Sequence, residues 1–279
     1  MPLTPYVCTN CGFWQRHFAV PAGCPVCEDH RHVLPDDGYE FLSPQLTDAR
    51  GEVVWDEPEP GVWRFAMTDP IGIGPMGYVI EHPEGNVAFE GAGWYSDAAL
   101  DFIDSLGGLR VATASHPHSF GALWRLTDRF GPEVPLHVGD LGWATAFTVT
   151  EPYDTTLALA HDLALHHTGA HFAGHQVLHD GRRGILFSGD ALKLELDPAD
   201  DRCATGISCH KAFVRGVPLS HAELASYRDV FAPLDFTQTW TPFEQGANAG
   251  RAAALALLDG QLGDRPHADF VAVEPEPGK

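Results

Sequence analysis

The chain is poor in positive charge and in long apolar runs. Seventeen Lys and Arg stand against 38 Asp and Glu among 279 residues, a formal net charge of −21 at pH 7. Such a surplus repels phosphate backbones and anionic lipid headgroups, so no nucleic-acid partner is expected. No apolar stretch reaches the roughly 18 residues a membrane-spanning helix needs, so no membrane partner is expected either. The opening Met1-Pro2-Leu3-Thr4-Pro5-Tyr6-Val7-Cys8 has no charged n-region and no apolar h-region, which sets a cytoplasmic expectation. Internal repeats and low-complexity blocks are also missing. The glycine-rich Gly72-Ile73-Gly74-Pro75-Met76-Gly77 lacks the G-x-G-x-x-G spacing and following helix of a phosphate cradle. What is present suits one sizeable core plus a small appendage: 44% hydrophobic residues, 10% of all residues being aromatic.

Four of the six cysteines form the pattern C-x2-C-x12-C-x2-C, through Cys8, Cys11, Cys24 and Cys27. Each pair makes a tight thiolate turn, and two such turns close a tetrahedron around one metal. A disulfide pairing is the competing reading, and it belongs to secreted chains. Zinc is the default occupant, in the manner of a zinc ribbon. Iron stays open, because Cys-Thr-Asn-Cys-Gly and Cys-Pro-Val-Cys are also similar to the pairs of rubredoxins. A closed four-thiolate site has no open coordination position, so its expected role is structural, stapling a segment of about 35 residues. Cys203 and Cys209 read as spare buried thiols.

The expected organisation is a knuckle over residues 1–34, a Pro- and acid-rich linker over 35–61, a main domain over 62–268 and a loose tail over 269–279. Within the main domain, Val62–Met67 reads as a strand, and Tyr78–Glu81 with Asn86–Glu90 as a hairpin. Helices are expected over Ser96–Leu106, behind a Ser N-cap, and over Gly121–Phe130. Val134–Val138 and Leu163–Thr168 read as extended. Gln176–His179 and Gly184–Ser188 flank Asp180-Gly181, a strong hairpin signal. Ser220-His221-Ala222-Glu223 opens a helix to Phe231 with a capping-box pattern. Asp235–Trp240 reads as a strand and Ala249–Leu262 as a helix. Strands mixed with helices in both halves indicate an α/β sandwich.

Three places in this frame carry metal chemistry. Ser115-His116-Pro117-His118-Ser119 ends the apolar run Leu109–Ala114, delivering two imidazoles to a strand tip. His171 lies in Gly169-Ala170-His171-Phe172-Ala173-Gly174-His175, and Asp190 follows the strand Gly184–Gly189. Three imidazoles and a carboxylate make a complete donor set for one metal.

The order of hairpin, helix, strand with H-x-H, then Gly-x-His-x-x-Gly-His and Phe-Ser-Gly-Asp resembles the metallo-β-lactamase superfamily over about residues 62–262. With the knuckle in front, the chain is similar to a bacterial branch known only as metallo-β-lactamase-fold hydrolases. The resemblance implies an αβ/βα four-layer sandwich. It also implies a metal site at the sheet edges, commonly a binuclear zinc or iron centre that hydrolyses esters, thioesters, lactams, lactones or phosphodiesters. It makes His116 and His118 the first two ligands of H-x-H-x-D-H, His171 the third imidazole, and Asp190 the carboxylate that usually bridges two metals.

The chain departs from that pattern at Phe120 and Gly121, where Asp and His are required. The late Gly-His-Gly turn is replaced by Thr239-Trp240-Thr241-Pro242-Phe243. One metal, zinc or iron, on His116, His118, His171 and Asp190 is therefore expected. His175, His179 and His210 read as surface or hydrogen-bonded side chains rather than ligands of a second metal. The implied reaction is hydrolysis of a small carbonyl compound by a metal-activated hydroxide, with Asp190 as fourth ligand or as base. Trp94, Tyr95, Phe120, Trp124, Trp143, Phe172 and Trp240 lie near predicted strand ends. Core packing is the default for each, and several lining a pocket would mean a partly apolar or aromatic substrate. Two other classes stay open: a degenerate binding or scaffold protein, and a mononuclear iron oxidoreductase. Oligomeric state is open as well.

Overall fold

The computed structural model of the chain describes residues 3–28, 38–212, 217–263 and 270–273. The chain divides into two compact units, Met1–Pro152 and Tyr153–Lys279. The last residues of the expected knuckle, the first of the expected linker and most of the expected tail lie outside the described residues.

In the first unit β1 (Thr4–Cys8) and β2 (Trp14–His17) form an antiparallel hairpin, and β3 (Phe41–Leu42) pairs with the other edge of β1. After a short helix, α1 (Pro44–Asp48), the main sheet takes the order β4 (Val53–Glu59), β5 (Val62–Met67), β6 (Gly77–Ile80), β7 (Val87–Phe89), α2 (Asp97–Ser105) intervening, then β8 (Val111–Thr113). Only the β7–β8 pair is parallel, with α2 as its crossover. Strands β6 to β8 are buried along their whole length, as a sheet covered on both faces requires. The Ser96 hydroxyl caps α2 by accepting the Ala99 N–H at 3.2 Å. Helix α3 (Leu123–Phe130) ends at Gly131 in the left-handed region, φ 60°. Leu100 and Ile103 of α2 and Leu123 and Leu126 of α3 meet Val79, Ala88 and Ala112 in one core. A short ladder of β9 (Pro135–His137) and β10 (Glu151–Tyr153) follows.

Residues 41–59 fall in the expected linker, yet they form β3, α1 and β4. The reason is local: Trp55 faces inward and stacks on Phe102 at 5.3 Å and Phe65 at 6.1 Å. Strand β4 is an edge, where Pro58 and the charges around it cost no ladder bond.

In the second unit β11 (Thr156–Ala160), β12 (Leu163–His167), β13 (Gln176–Asp180) and β14 (Ile185–Phe187) form an antiparallel run. The Asp180 carboxylate fixes the β13–β14 turn, accepting the N–H groups of Arg182 and Arg183 at 3.1 Å each. Next come β15 (Leu192–Asp197) and β16 (Asp200–Cys209), a long hairpin in a separate sheet. Helix α4 (His221–Phe231) begins with the full capping box of Ser220 and Glu223. It leads to β17 (Gln238–Trp240), which adds to β14 in parallel, and to β18 (Gln245–Gly246) at the edge. Helix α5 (Arg251–Leu262) and β19 (Phe270–Ala272) complete the unit, β19 pairing with β16 although it falls in the expected tail. Tyr227 and Phe231 of α4 and Leu257 and Leu258 of α5 pack with Leu186, Leu192, Leu194 and Ile207.

Candidate metal centres

The four knuckle sulfurs lie within 4.8 Å of one another, and all four residues are buried. Cys8 Sγ is 3.7 Å from Cys27 Sγ and Cys11 Sγ 3.5 Å from Cys24 Sγ, with no disulfide between them. Gly12, at φ 85°, lets the first turn close. The Asn10 amide donates to Cys27 Sγ at 3.3 Å. Hydrogen bonds from Cys11, Cys24 and Cys27 hold the Cys8 thiol far below its ordinary range, whereas the same network pushes Cys11 well above it. Four buried sulfurs gathered this closely fit a tetrahedral zinc or iron ion, which takes all four as thiolates.

The knuckle is part of the first unit's core. Trp14, just beyond the first cysteine pair, stacks on Trp94 at 5.5 Å and leans on Trp124 at 5.4 Å. Its indole N–H donates to the Gly93 carbonyl at 3.2 Å.

Strand β8 delivers His116 and His118 to a buried loop, their ring centroids 5.3 Å apart. His116 Nδ1 lies 2.8 Å from the Ser115 hydroxyl. The Ser115 N–H donates to the buried Glu90 carboxylate at 2.8 Å. Three backbone bonds clasp the loop to residues 90–92: Glu90 N–H to Thr113 at 3.1 Å, Gly91 N–H to Ser119 at 2.7 Å and Ala122 N–H to Ala92 at 2.8 Å. So close is the clasp that a Cβ on Gly91 would lie 2.0 Å from the Phe120 carbonyl oxygen, and one on Gly121 2.1 Å from that of Gly91. This explains both departures from H-x-H-x-D-H. Position 121 has no room for a side chain, and the Phe120 ring is buried against Phe147 at 5.2 Å.

In the second unit, His171 and Asp190 face each other, Nε2 to Oδ2 3.5 Å, both buried. His171 sits in the loop between β12 and β13, and its Nδ1–H donates to the Lys211 carbonyl at 2.7 Å, which turns Nε2 toward the carboxylate. Asp190 lies in the turn after β14. Its backbone N–H donates to His175 Nε2 at 3.1 Å, so His175 carries its proton on Nδ1, 2.6 Å from the Thr168 hydroxyl. That hydroxyl in turn donates to the His175 carbonyl at 3.0 Å. His175 is thus a fully buried support of the Asp190 turn, a role its place in Gly174-His175 does not disclose. Helix α4 braces the same loop through the Tyr227 hydroxyl, 3.5 Å from the Gly169 carbonyl; burial pushes that phenol well above its ordinary value.

The other histidines divide as follows. His179 Nε2 donates to the Asp235 carbonyl at 2.9 Å, and the His210 ring lies 5.6 Å from that of His171. The late turn that would have carried another imidazole is a tight β17–β18 hairpin, closed by the Thr241 hydroxyl accepting the Phe243 and Glu244 N–H groups at 3.0 and 2.8 Å. Burial raises the Glu244 carboxyl above the usual range, with the Asp190 charge adding to it. Trp94, Tyr95 and Trp124 belong to the first unit's core, and Phe120, Phe172 and Trp240 are buried, while Trp143 is half-buried. Cys203 and Cys209 are half-buried rather than buried thiols, a correction to their expected place.

The sequence profile of the metallo-beta-lactamase superfamily matches residues 113–259, more than half of the chain. The chain belongs to this superfamily. An uncharacterized protein of Bacillus subtilis (strain 168), YmaE, is 23% identical over 254 residues, covering 86% of this chain and 89% of its own. Among solved structures, a metallo-beta-lactamase from Pontibacter korlensis superposes with a TM-score of 0.51 at 15% identity, over 75% of this chain and 100% of its own. The FIM-1 metallo-beta-lactamase of Pseudomonas aeruginosa, in its mono-zinc form, gives 0.51 at 16% identity, over 75% and 94%. At such identities these metallo-beta-lactamases share the fold with this chain. The two histidines of the first unit and the His–Asp pair of the second all lie inside the matched region.

Proposed function

We propose that the protein is a metal-dependent hydrolase of a small carbonyl compound, with one catalytic metal held by His116, His118, His171 and Asp190. The observation that carries this reading is the His171–Asp190 pair: a buried imidazole whose Nδ1 is committed to a carbonyl presents Nε2 to a buried carboxylate. His116 and His118, likewise buried, add two imidazoles, and three imidazoles with one carboxylate suit zinc or ferrous iron. The FIM-1 metallo-beta-lactamase in mono-zinc form is a precedent in this fold for a single-metal state. The filled positions at Phe120 and Gly121 and the tight turn at Thr241 argue for one metal here rather than two.

When bound, such a metal acidifies water and polarises a carbonyl oxygen. The chain's own residues do the rest. Lys211, through its carbonyl, fixes the His171 tautomer. His175 and Thr168 hold the turn that aims Asp190, whose carboxylate either completes the ligand set or accepts a proton from the attacking water. Glu90 holds the Ser115 N–H and so the start of the His116 loop. The knuckle metal, zinc in this reading, is structural.

Elemental analysis of the wild type, the His116→Ala/His118→Ala double variant and Cys24→Ser tests the assignment. About two metals per chain are expected in the wild type, about one in the double variant and about one in Cys24→Ser, the last with the larger loss of thermal stability. Equal metal content in wild type and double variant overturns the histidine site.

A further inference from the structure

Within the first unit the knuckle grips both segments that hold the His116 loop. The first is residues 90–95. Their carbonyl at Gly93 accepts the Trp14 indole N–H at 3.2 Å, and Gly91 and Ala92 next to it are bonded to Ser119 and Ala122 of the loop. The buried Tyr95 hydroxyl stiffens this stretch by accepting the Ala92 N–H at 3.1 Å. The second is residues 145–147. The Arg16 N–H donates to the Thr145 carbonyl at 3.2 Å, and the Thr145 hydroxyl donates to the Trp14 carbonyl at 3.3 Å. Two residues on, the Phe147 ring packs at 5.2 Å on Phe120, which stands two residues past His118.

We infer that the knuckle metal sets how firmly the His116 loop is held, with Trp14 as the positioning residue between them. Emptying the knuckle loosens the loop and so weakens metal binding through His116 and His118. The inference rests on the proposed function in taking the knuckle as a metal site and, for its effect on affinity, the histidine cluster as another.

Coupling of two sites requires an element with two states that both of them bias. The knuckle is such an element. No disulfide crosses it, so a metal on its four buried thiolates is what ties Cys8 and Cys11 to Cys24 and Cys27, and the binding energy of such a metal is folding energy. Its first turn also has no slack against the rest of the unit: a Cβ on Gly72, at φ 64°, would lie 2.1 Å from the Gly12 nitrogen and 2.2 Å from the Cys11 carbonyl carbon. From there to the loop every link is a backbone hydrogen bond, a bond to backbone or a packed ring, and a close-packed interior passes a displacement on instead of absorbing it. A staple that served stability alone could sit anywhere on the domain. This one sits on the two segments that clasp the candidate ligands. Linkage makes the effect reciprocal, so metal on the histidines tightens the knuckle by the same factor.

Hydrogen exchange read by mass spectrometry, together with cobalt(II) titration against a chelator, tests the inference on the full-length wild type, Cys24→Ser and Trp14→Phe. Trp14→Phe keeps the four cysteines and a ring but loses the donor to Gly93. Exchange in residues 90–95 and 115–122 is expected to quicken about 10-fold in Cys24→Ser and about 3-fold in Trp14→Phe, while β13 and β14 of the second unit exchange as in the wild type. Cobalt on the histidines, told from the knuckle ion by the charge-transfer absorption that thiolate ligation gives, should bind more weakly by the same factors. Unchanged exchange at residues 115–122 in both variants overturns the inference, as does unchanged cobalt affinity at the histidines. Quickening spread evenly over both units also overturns it, because the knuckle would then be a general staple. Quickening at residues 115–122 in proteins whose histidines take up no cobalt would leave the hold on the loop standing and overturn the hydrolase reading alone.

Discussion

The two compact units each present a pair of candidate ligands, but they secure them by opposite means. In the first, the His116 loop is held by backbone against backbone, with Gly91 and Gly121 in contact that no side chain tolerates. In the second, the His171 loop and the Asp190 turn are held by side chains, through His175 and Thr168 and by the His171 bond to the Lys211 carbonyl. Each unit also places a non-glycine residue in the left-handed region next to its ligands: Glu90, φ 65°, and Ala170, φ 64°. Such positions cost about 1–3 kcal/mol each and persist only where the surroundings fix them. The contrast teaches that a ligand loop built from backbone contact is sensitive to bulk, whereas one built from polar side chains is sensitive to chemistry.

The largest effect is expected where bulk meets the backbone clasp. Gly121→Ala puts a Cβ against the Gly91 carbonyl at a left-handed φ of 43°. It should lose roughly 3 kcal/mol or more of stability, read as the urea midpoint; a near-neutral result would mean that the first unit's loop is not clasped as described. The chemical counterpart is His175→Ala. It leaves the Asp190 N–H without its acceptor, which should cost about 1–3 kcal/mol, and should weaken metal binding at the histidine site about 10- to 100-fold in chelator competition. Unchanged metal affinity would show that His175 does not position Asp190.

The smallest effect concerns pH. Burial, with the His179 charge adding to it, holds His166 on β12 down to about 4 from an ordinary 6.5. Between those values the unfolded chain binds a proton that the folded chain does not, so stability is full above about pH 6.5 and falls as the pH drops towards 4. His166→Leu should remove about 1 kcal/mol of the difference in stability between pH 7 and pH 5, allowing for its partial exposure. Parallel pH profiles for the two proteins would place the second unit's acid sensitivity elsewhere.

Much of this was legible in the sequence because the signals were local. The Asp180-Gly181 hairpin, the Ser220–Glu223 capping box and the H-x-H at the end of β8 are each set by a few adjacent residues, and each is found where expected. The four knuckle cysteines are gathered as their spacing requires. What was missed depended on context. Strand β4 carries an alternation at Val53-Val54-Trp55 that the surrounding prolines and acids obscure, and only an edge position makes those residues acceptable. The β15–β16 hairpin has a plain signal, Leu192, Leu194 and Leu196 alternating with Lys193, Glu195 and Asp197, in a stretch that the expected elements pass over. The support given by His175 had no local signal, since its partners Thr168 and Asp190 meet it only in the folded loop.

The tryptophan trio has a consequence for how this protein can be watched. Three of the seven tryptophans, Trp14, Trp94 and Trp124, lie with ring centroids 5.4 to 6.0 Å apart. Indoles that close share their electronic transitions, so near-ultraviolet circular dichroism registers them as one chromophore. Because Trp14 is tethered to the cysteine turns and Trp124 to the helix that follows the His116 loop, that spectrum is a built-in optical gauge of whether the knuckle is seated. It can be read without a label while metal is being withdrawn.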